Sequence, residues 1–135
     1  MIDSNVIVSA VLFPESKLGQ LIRNIETKHN LILCSYSLKE IEKVFTIKFR
    51  GQWNKMENFI NSLNYDCVET GSASVYQNVN IRDKNDLPIL ISFLSSGADL
   101  LVTGDNDFFT PELEKYNIIR PNEYFNLFMK EIIDD

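Results

Sequence analysis

Four acidic residues carry most of the chemical potential of this chain. They are Asp3 in "MIDSNVIVSA", Glu40 in "SLKEIEKV", Asp86 in "IRDKNDLPIL" and Asp105 in "LLVTGDNDFF". Acids are depleted from strand interiors and favoured at helix starts and in turns, so each is expected at the end of an element. Each also has a plain structural reading. Glu40 completes S-x-x-E with Ser37, a capping box. Asp83 and Asp86 suit a helix start, and Asp105 and Asp107 suit a turn. Asp3 is harder to explain that way, because Ser4 or Asn5 can cap the helix that follows. Convergence decides the matter: four carboxylates on one rim repel strongly unless cations neutralise them.

The elements must bring them together. Ser4 or Asn5 starts a helix through Phe13, which Pro14 ends. "KLGQLIRNIETK" places Leu18, Leu21, Ile22 and Ile25 on one helical face. "NLILC" reads as a buried strand, and "SLKEIEKVFTIK" as a helix with Leu38, Ile41, Val44 and Phe45 inward. "NKMENFINSLN" is a further helix and "CVE" a weak strand, while "GSASVYQNVNIR" is ambiguous. "DLPILISFLSSG" predicts a helix closing at Gly97, and "LLVT" a buried strand ending in the turn "GDND". "PELEKY" is a short helix, "NIIR" a strand and "PNEYFNLFMKEII" the terminal helix, with Pro121 in its first turn. Strands alternating with helices predict a three-layer α/β/α sandwich with a small, mainly parallel sheet.

Open parallel sheets place functional groups beyond the carboxyl ends of their strands. Asp3 and Asp105 follow strands there. Glu40 is expected in the first turn of the helix after "LILC". Pro88 fits only a first turn, so its helix begins near Asn85 or Asp86. All four acids then share one rim.

Length and composition fit this architecture. A chain of 135 residues, 44% hydrophobic and 24% charged, reads as a single globular domain over residues 1–135. With 13 basic and 19 acidic residues its net charge is −6, unlike a constitutive nucleic-acid coater. Cys34 and Cys67 lack C-x-x-C spacing and read as reduced, buried thiols, and the single His29 excludes a multi-histidine zinc site. No targeting segment or membrane span is visible, which predicts a cytoplasmic protein.

"IDSNVIVSA", "SLKEIEKVF", "DKNDLPIL" and "LLVTGDNDF" resemble the successive acidic motifs of PIN-domain ribonucleases, and "NIIRPNEYFNLF" resembles their closing strand and helix. The likeness covers essentially the whole chain and is nearest to VapC-like toxins of toxin–antitoxin systems. It implies metal-binding, catalytic acids at Asp3, Glu40, Asp86 and Asp105, with Asp107 as an accessory ligand. Asn5 and Thr103 would give polar support, and Asp83 would take a less direct part. Two departures stand out: few apolar residues precede Asp3, and Ser4 replaces a commoner Thr. The implied function is a divalent-metal-dependent endoribonuclease using one or two Mg²⁺ or Mn²⁺ ions. Its implied partners are an RNA substrate and a cognate antitoxin, with room for a homodimer.

The residue types suit that chemistry. Mg²⁺ and Mn²⁺ prefer hard oxygen ligands. One ion would lower the pKa of a water, and a second, about 3.5–4 Å away, would stabilise the leaving oxygen. Four ionised acids contribute −4 of the net −6, which two divalent ions would offset. "KVFTIKFRGQWNKM" contains no acid and offers Lys43, Lys48, Arg50 and Lys55 to phosphates and Trp53 to bases. The same stretch also reads as a helix–helix junction with core or interface aromatics. Two rivals remain: a catalytically silent binding module of the same fold, and a metal-dependent phosphatase. The phosphatase of the haloacid type needs D-x-D after the first strand, where this chain has Asp3-Ser4-Asn5.

Overall fold

Neighbouring residues of the short strands point to opposite faces, and apolar side chains cover both. The computed structural model describes residues 1–70 and 86–129. In chain order these form α1 (Ser4–Leu12), α2 (Lys17–Lys28), β1 (Ile32–Cys34), α3 (Ser35–Ile47), α4 (Trp53–Ser62) and β2 (Asp66–Val68). Then come α5 (Leu87–Ser96), β3 (Leu101–Val102), β4 (Ile118–Ile119) and α6 (Pro121–Tyr124), which runs into a π-helical turn at Phe125–Met129. β1 pairs with β2 and β3 with β4, both in parallel, and Ile2 forms a parallel bridge with Val102.

Ile2, Leu33, Val102 and Ile119 pack with buried residues of α1, α2, α3 and α4 and with Tyr124. Met1, Cys34 and Leu101 turn the other way, onto Ile89, Leu90 and Phe93 of α5 and onto Phe108 and Leu113. This period of two buries both faces of the strands, as a parallel sheet between helices requires. The fold is therefore mixed α/β, with small parallel strand pairs. Among the described residues no helix is long and apolar enough to cross a membrane.

Several boundaries differ from those expected. α1 starts at Ser4 with Asp3 at its N-cap, and no side chain caps it. The Asp3 and Ser4 oxygens are engaged with other side chains instead. α3 starts directly after β1, at Ser35 rather than Ser37. Ser37 therefore lies inside the helix, where its hydroxyl meets Cys34 Sγ at 3.2 Å, and the Ser37–Glu40 capping box does not form. Glu40 moves from the first turn to the second. "PELEKY" yields only a 3₁₀ turn at Pro111–Leu113. Cys67 is exposed, because among the described residues β2 pairs with β1 alone and carries little apolar cover. The ambiguous stretch, Asp83 and the last residues of the expected terminal helix lie outside the described residues.

Two glycines are needed where they stand. Gly97 ends α5 with φ +77, the left-handed conformation that only glycine adopts freely. Gly19 is buried where α2 crosses the turn from α1. A Cβ there would run into the Pro14 carbonyl oxygen and lie 2.7 Å from its carbon. Gly19→Ala should thus destabilise the fold by about 1–3 kcal/mol, outweighing alanine's better helix propensity. A denaturation midpoint at or above wild type would show that the α1–α2 turn can move aside.

Candidate metal centre

The first three residues run alongside β3. Val102 N–H donates to Met1 O (2.9 Å) and Asp3 N–H donates to Val102 O (3.0 Å). Asp3 thus comes to the carboxyl end of β3 with only 2% of its surface exposed. Thr103, the next residue after β3, is held by its N–H donating to Ile119 O at 3.0 Å. Its hydroxyl donates to Asp3 Oδ2 (2.7 Å) and accepts from Asp105 N–H (3.1 Å). Asp105 Oδ1 in turn accepts from Asp107 N–H at 2.9 Å and caps the 3₁₀ turn Asn106–Phe108.

Ser4 joins Asp3 to Glu40. Its hydroxyl lies 3.3 Å from Asp3 Oδ1 and 3.1 Å from Glu40 Oε1. A hydroxyl has one proton, so the two carboxylates share a single donor. Burial pushes both carboxyls above their ordinary values. Thr103 and Ser4 oppose the rise at Asp3, while Asp105 adds to it. At Glu40, Ser4 and Lys43 oppose the rise and Asp3 adds to it. These two acids thus sit where negative charge is costly without a cation.

Beside them, Asp86, Asp105 and Asp107 each offer a carboxylate oxygen, and the three oxygens lie within 4.8 Å of one another. All three side chains are half-buried. Such hard oxygen donors, partly open to water, suit Mg²⁺ or Mn²⁺, and the set fits such an ion.

A hydroxyl clasp fixes the helices that carry Glu40 and Asp86. Thr70 lies just beyond β2. Its Oγ1 accepts from Tyr36 N–H (3.1 Å), supplying from outside the helix the N-terminal cap that Cys34 does not provide to α3. Ser35 Oγ is 3.3 Å from Thr70 Oγ1 and accepts from Thr70 N–H at 3.0 Å. The buried Ser92 of α5 donates to Pro88 O (2.8 Å), and its Oγ lies 3.2 Å from Thr70 Oγ1. α3 and α5 are tied together through this oxygen. Asp86 stands at the N-cap of α5, two residues before Pro88 in the helix's first turn.

Comparison with known proteins gives the family and the fold. A family model described as the PIN domain matches residues 1–107. The chain belongs to the PIN-domain family. Among solved structures, it is similar to a chain in the crystal structure of VapBC2 from Rickettsia felis bound to a DNA fragment from their promoter. The TM-score is 0.67 at 16% identity, covering 89% of this chain and 96% of that one, a likeness that shows the fold. No curated protein matches.

Within this PIN domain the predicted residues fall into distinct groups. Asp86 and Asp105 come together with Asp107, while Asp3 and Glu40 form the Ser4-linked pair beside them. Thr103 touches Asp3, whereas Asn5 is exposed on α1 and Ser4 makes the carboxylate contacts. Asp83 lies outside the described residues. In the basic stretch, Arg50 Nε donates to Thr46 O (3.1 Å) and Lys55 Nζ to Leu12 O (3.0 Å). The Trp53 indole N–H donates to Glu57 Oε2 (3.1 Å), and its ring packs partly on the core, as does Phe49. Lys43 and Lys48 are exposed. Sequence reasoning missed Ser4 as the bridge between two acids. The signal available was a hydroxyl directly after the first acid.

Proposed function

We propose that this PIN domain is a divalent-metal-dependent endoribonuclease that hydrolyses RNA phosphodiester bonds, acting as a cytoplasmic toxin. The observation that carries this reading is the meeting of Asp86, Asp105 and Asp107 oxygens within 4.8 Å beside the buried Asp3. Asp86, Asp105 and Asp107 would hold the metal, with Asp3 and Glu40 completing the anionic wall. A bound Mg²⁺ or Mn²⁺ would activate water and offset charge on the phosphate. Thr103 fixes the Asp3 carboxylate by donating to Oδ2, and Ser4 keeps Glu40 turned toward Asp3. Asp105 is held through its own backbone N–H on the Thr103 hydroxyl. Supporting-residue contacts of this kind orient ligands in metal sites.

An antitoxin partner is supported by the fold likeness to the VapBC2 chain over nearly its full length. An acidic site of this type can be blocked by a partner's Arg or Lys, which pairs with carboxylates in place of a metal. The nuclease reading is tested with single-stranded RNA oligonucleotides, purified protein and millimolar Mn²⁺. Cleavage should appear with Mn²⁺ or Mg²⁺ and stop with chelator. Cleavage that persists in chelator would remove the metal mechanism, and none under any metal would favour a silent binding module.

A further inference from the structure

A nuclease with an acidic rim needs a cation to receive its substrate's phosphates, and the structure holds one in place. Arg120 follows β4, so it emerges at the same carboxyl edge as Thr103 and Asp105. Its guanidinium lies 4.0 Å above the Phe109 ring centroid, and its Nη2 donates to Asn106 Oδ1 at 2.8 Å. Asn106 sits between Asp105 and Asp107 in the chain, so this arginine is anchored to the turn that presents those two carboxylates. The backbone N–H of Arg120 donates to Glu123 Oε1 (3.3 Å), yet the guanidinium makes no ion pair among the described residues. A half-buried arginine usually finds a carboxylate or another acceptor for its fork of five N–H donors. Here stacking and one amide oxygen fix its position, and among the described residues most of the fork has no other acceptor.

We propose that Arg120 is the phosphate anchor of the acidic site, binding a backbone phosphate of single-stranded RNA next to the Asp105–Asp107 turn. This rests on the nuclease reading and names a substrate-binding residue for it. Stacking on Phe109 limits the entropy lost when the fork engages, and a planar guanidinium matches two phosphate oxygens at once. In the basic stretch, Arg50 and Lys55 already donate to backbone carbonyls, and Lys43 and Lys48 are exposed with no ring or amide holding them in place among the described residues.

The test measures kcat, KM and their dependence on KCl for wild type, Arg120→Gln and Arg120→Lys, using a single-stranded RNA oligonucleotide and Mn²⁺. It also records the Mn²⁺-induced melting shift of each protein. Arg120→Gln should raise KM about tenfold, the effect of one lost charge-assisted contact. Its log–log salt slope should shrink by about one phosphate contact. Arg120→Lys should recover most of the salt slope and part of KM, and all three should keep the same Mn²⁺ shift. Wild-type KM and salt slope in Arg120→Gln would overturn the proposal. So would a joint loss of kcat and Mn²⁺ shift, which would mean that Arg120 only props the Asn106 turn. If wild type cleaves no RNA with metal, the nuclease reading itself fails and the anchor falls with it.

Discussion

Asp86→Asn should lower metal-dependent RNA cleavage by more than about 100-fold, since loss of groups that merely support a ligand already costs about 10–100-fold. The same change should raise the melting temperature of the metal-free protein by a few degrees. Three carboxylate oxygens within 4.8 Å of one another are crowded without a cation. At that range, and an effective dielectric constant of about 20, a pair of unit charges repels by about 3.5 kcal/mol or more, less where solvent screens it. Asn keeps the shape and serves equally well at the N-cap of α5, so the helix start is preserved. The opposite signs on activity and stability are what separate a ligand from a structural residue. Asp83→Asn, three residues earlier, should retain substantial activity. Equal loss from both variants, or an active Asp86→Asn, would reverse the roles given to these two acids.

Mn²⁺ should stabilise the wild-type protein strongly. A ligand that binds only the folded state at 100 times its Kd contributes about 2.7 kcal/mol, which for a chain of this size raises Tm by about 10 °C. Burial of Asp3 and Glu40 points the same way, because a cation offsets the charge that desolvation makes costly there. Differential scanning fluorimetry across micromolar to millimolar Mn²⁺, with a chelator control, measures the shift. Mg²⁺ should act in the same direction. No shift at millimolar Mn²⁺ would exclude a functional metal at these carboxylates. A shift retained in the Asp86→Asn, Asp105→Asn double variant would place the ion elsewhere.

Much of the fold was legible because burial imposes its period on the sequence. α2 spans the same residues that its apolar spacing predicts, Lys17–Lys28, and α5 closes at Gly97 as the glycine requires. Asp3 and Asp105 could be placed beyond strands because neither fits a strand interior. The start of α3 could not be read correctly. S-x-x-E signals a cap at Ser37, but the N-cap is Cys34, three residues earlier, where Thr70 from just beyond β2 accepts from the helix's Tyr36 N–H. Local patterns cannot reveal a donor or acceptor supplied from 34 residues away. The nearness of Asp107 to Asp86 was likewise not legible, since it depends on how α5 meets the turn after β3. Arg120 gave no signal at all: its stacking on Phe109 and bond to Asn106 join segments separated by a 3₁₀ turn and a strand.

The bond from Thr103 to Asp3 spans 100 positions, and it bears on the time at which the site comes into being. During synthesis α1 can coil as soon as it emerges, since its hydrogen bonds are local. Asp3 has neither its backbone acceptor at Val102 nor its hydroxyl partner until β3 has been made. Asp105 and Asp107 arrive only then as well. Long-range pairings of this kind form late, after the entropy of closing the intervening chain has been overcome. A nascent chain therefore carries Asp3 and Glu40 for as long as the segment from Leu101 to Asp107 is still to be made, and the acidic cluster closes only when that segment pairs with Ile2 and Asp3.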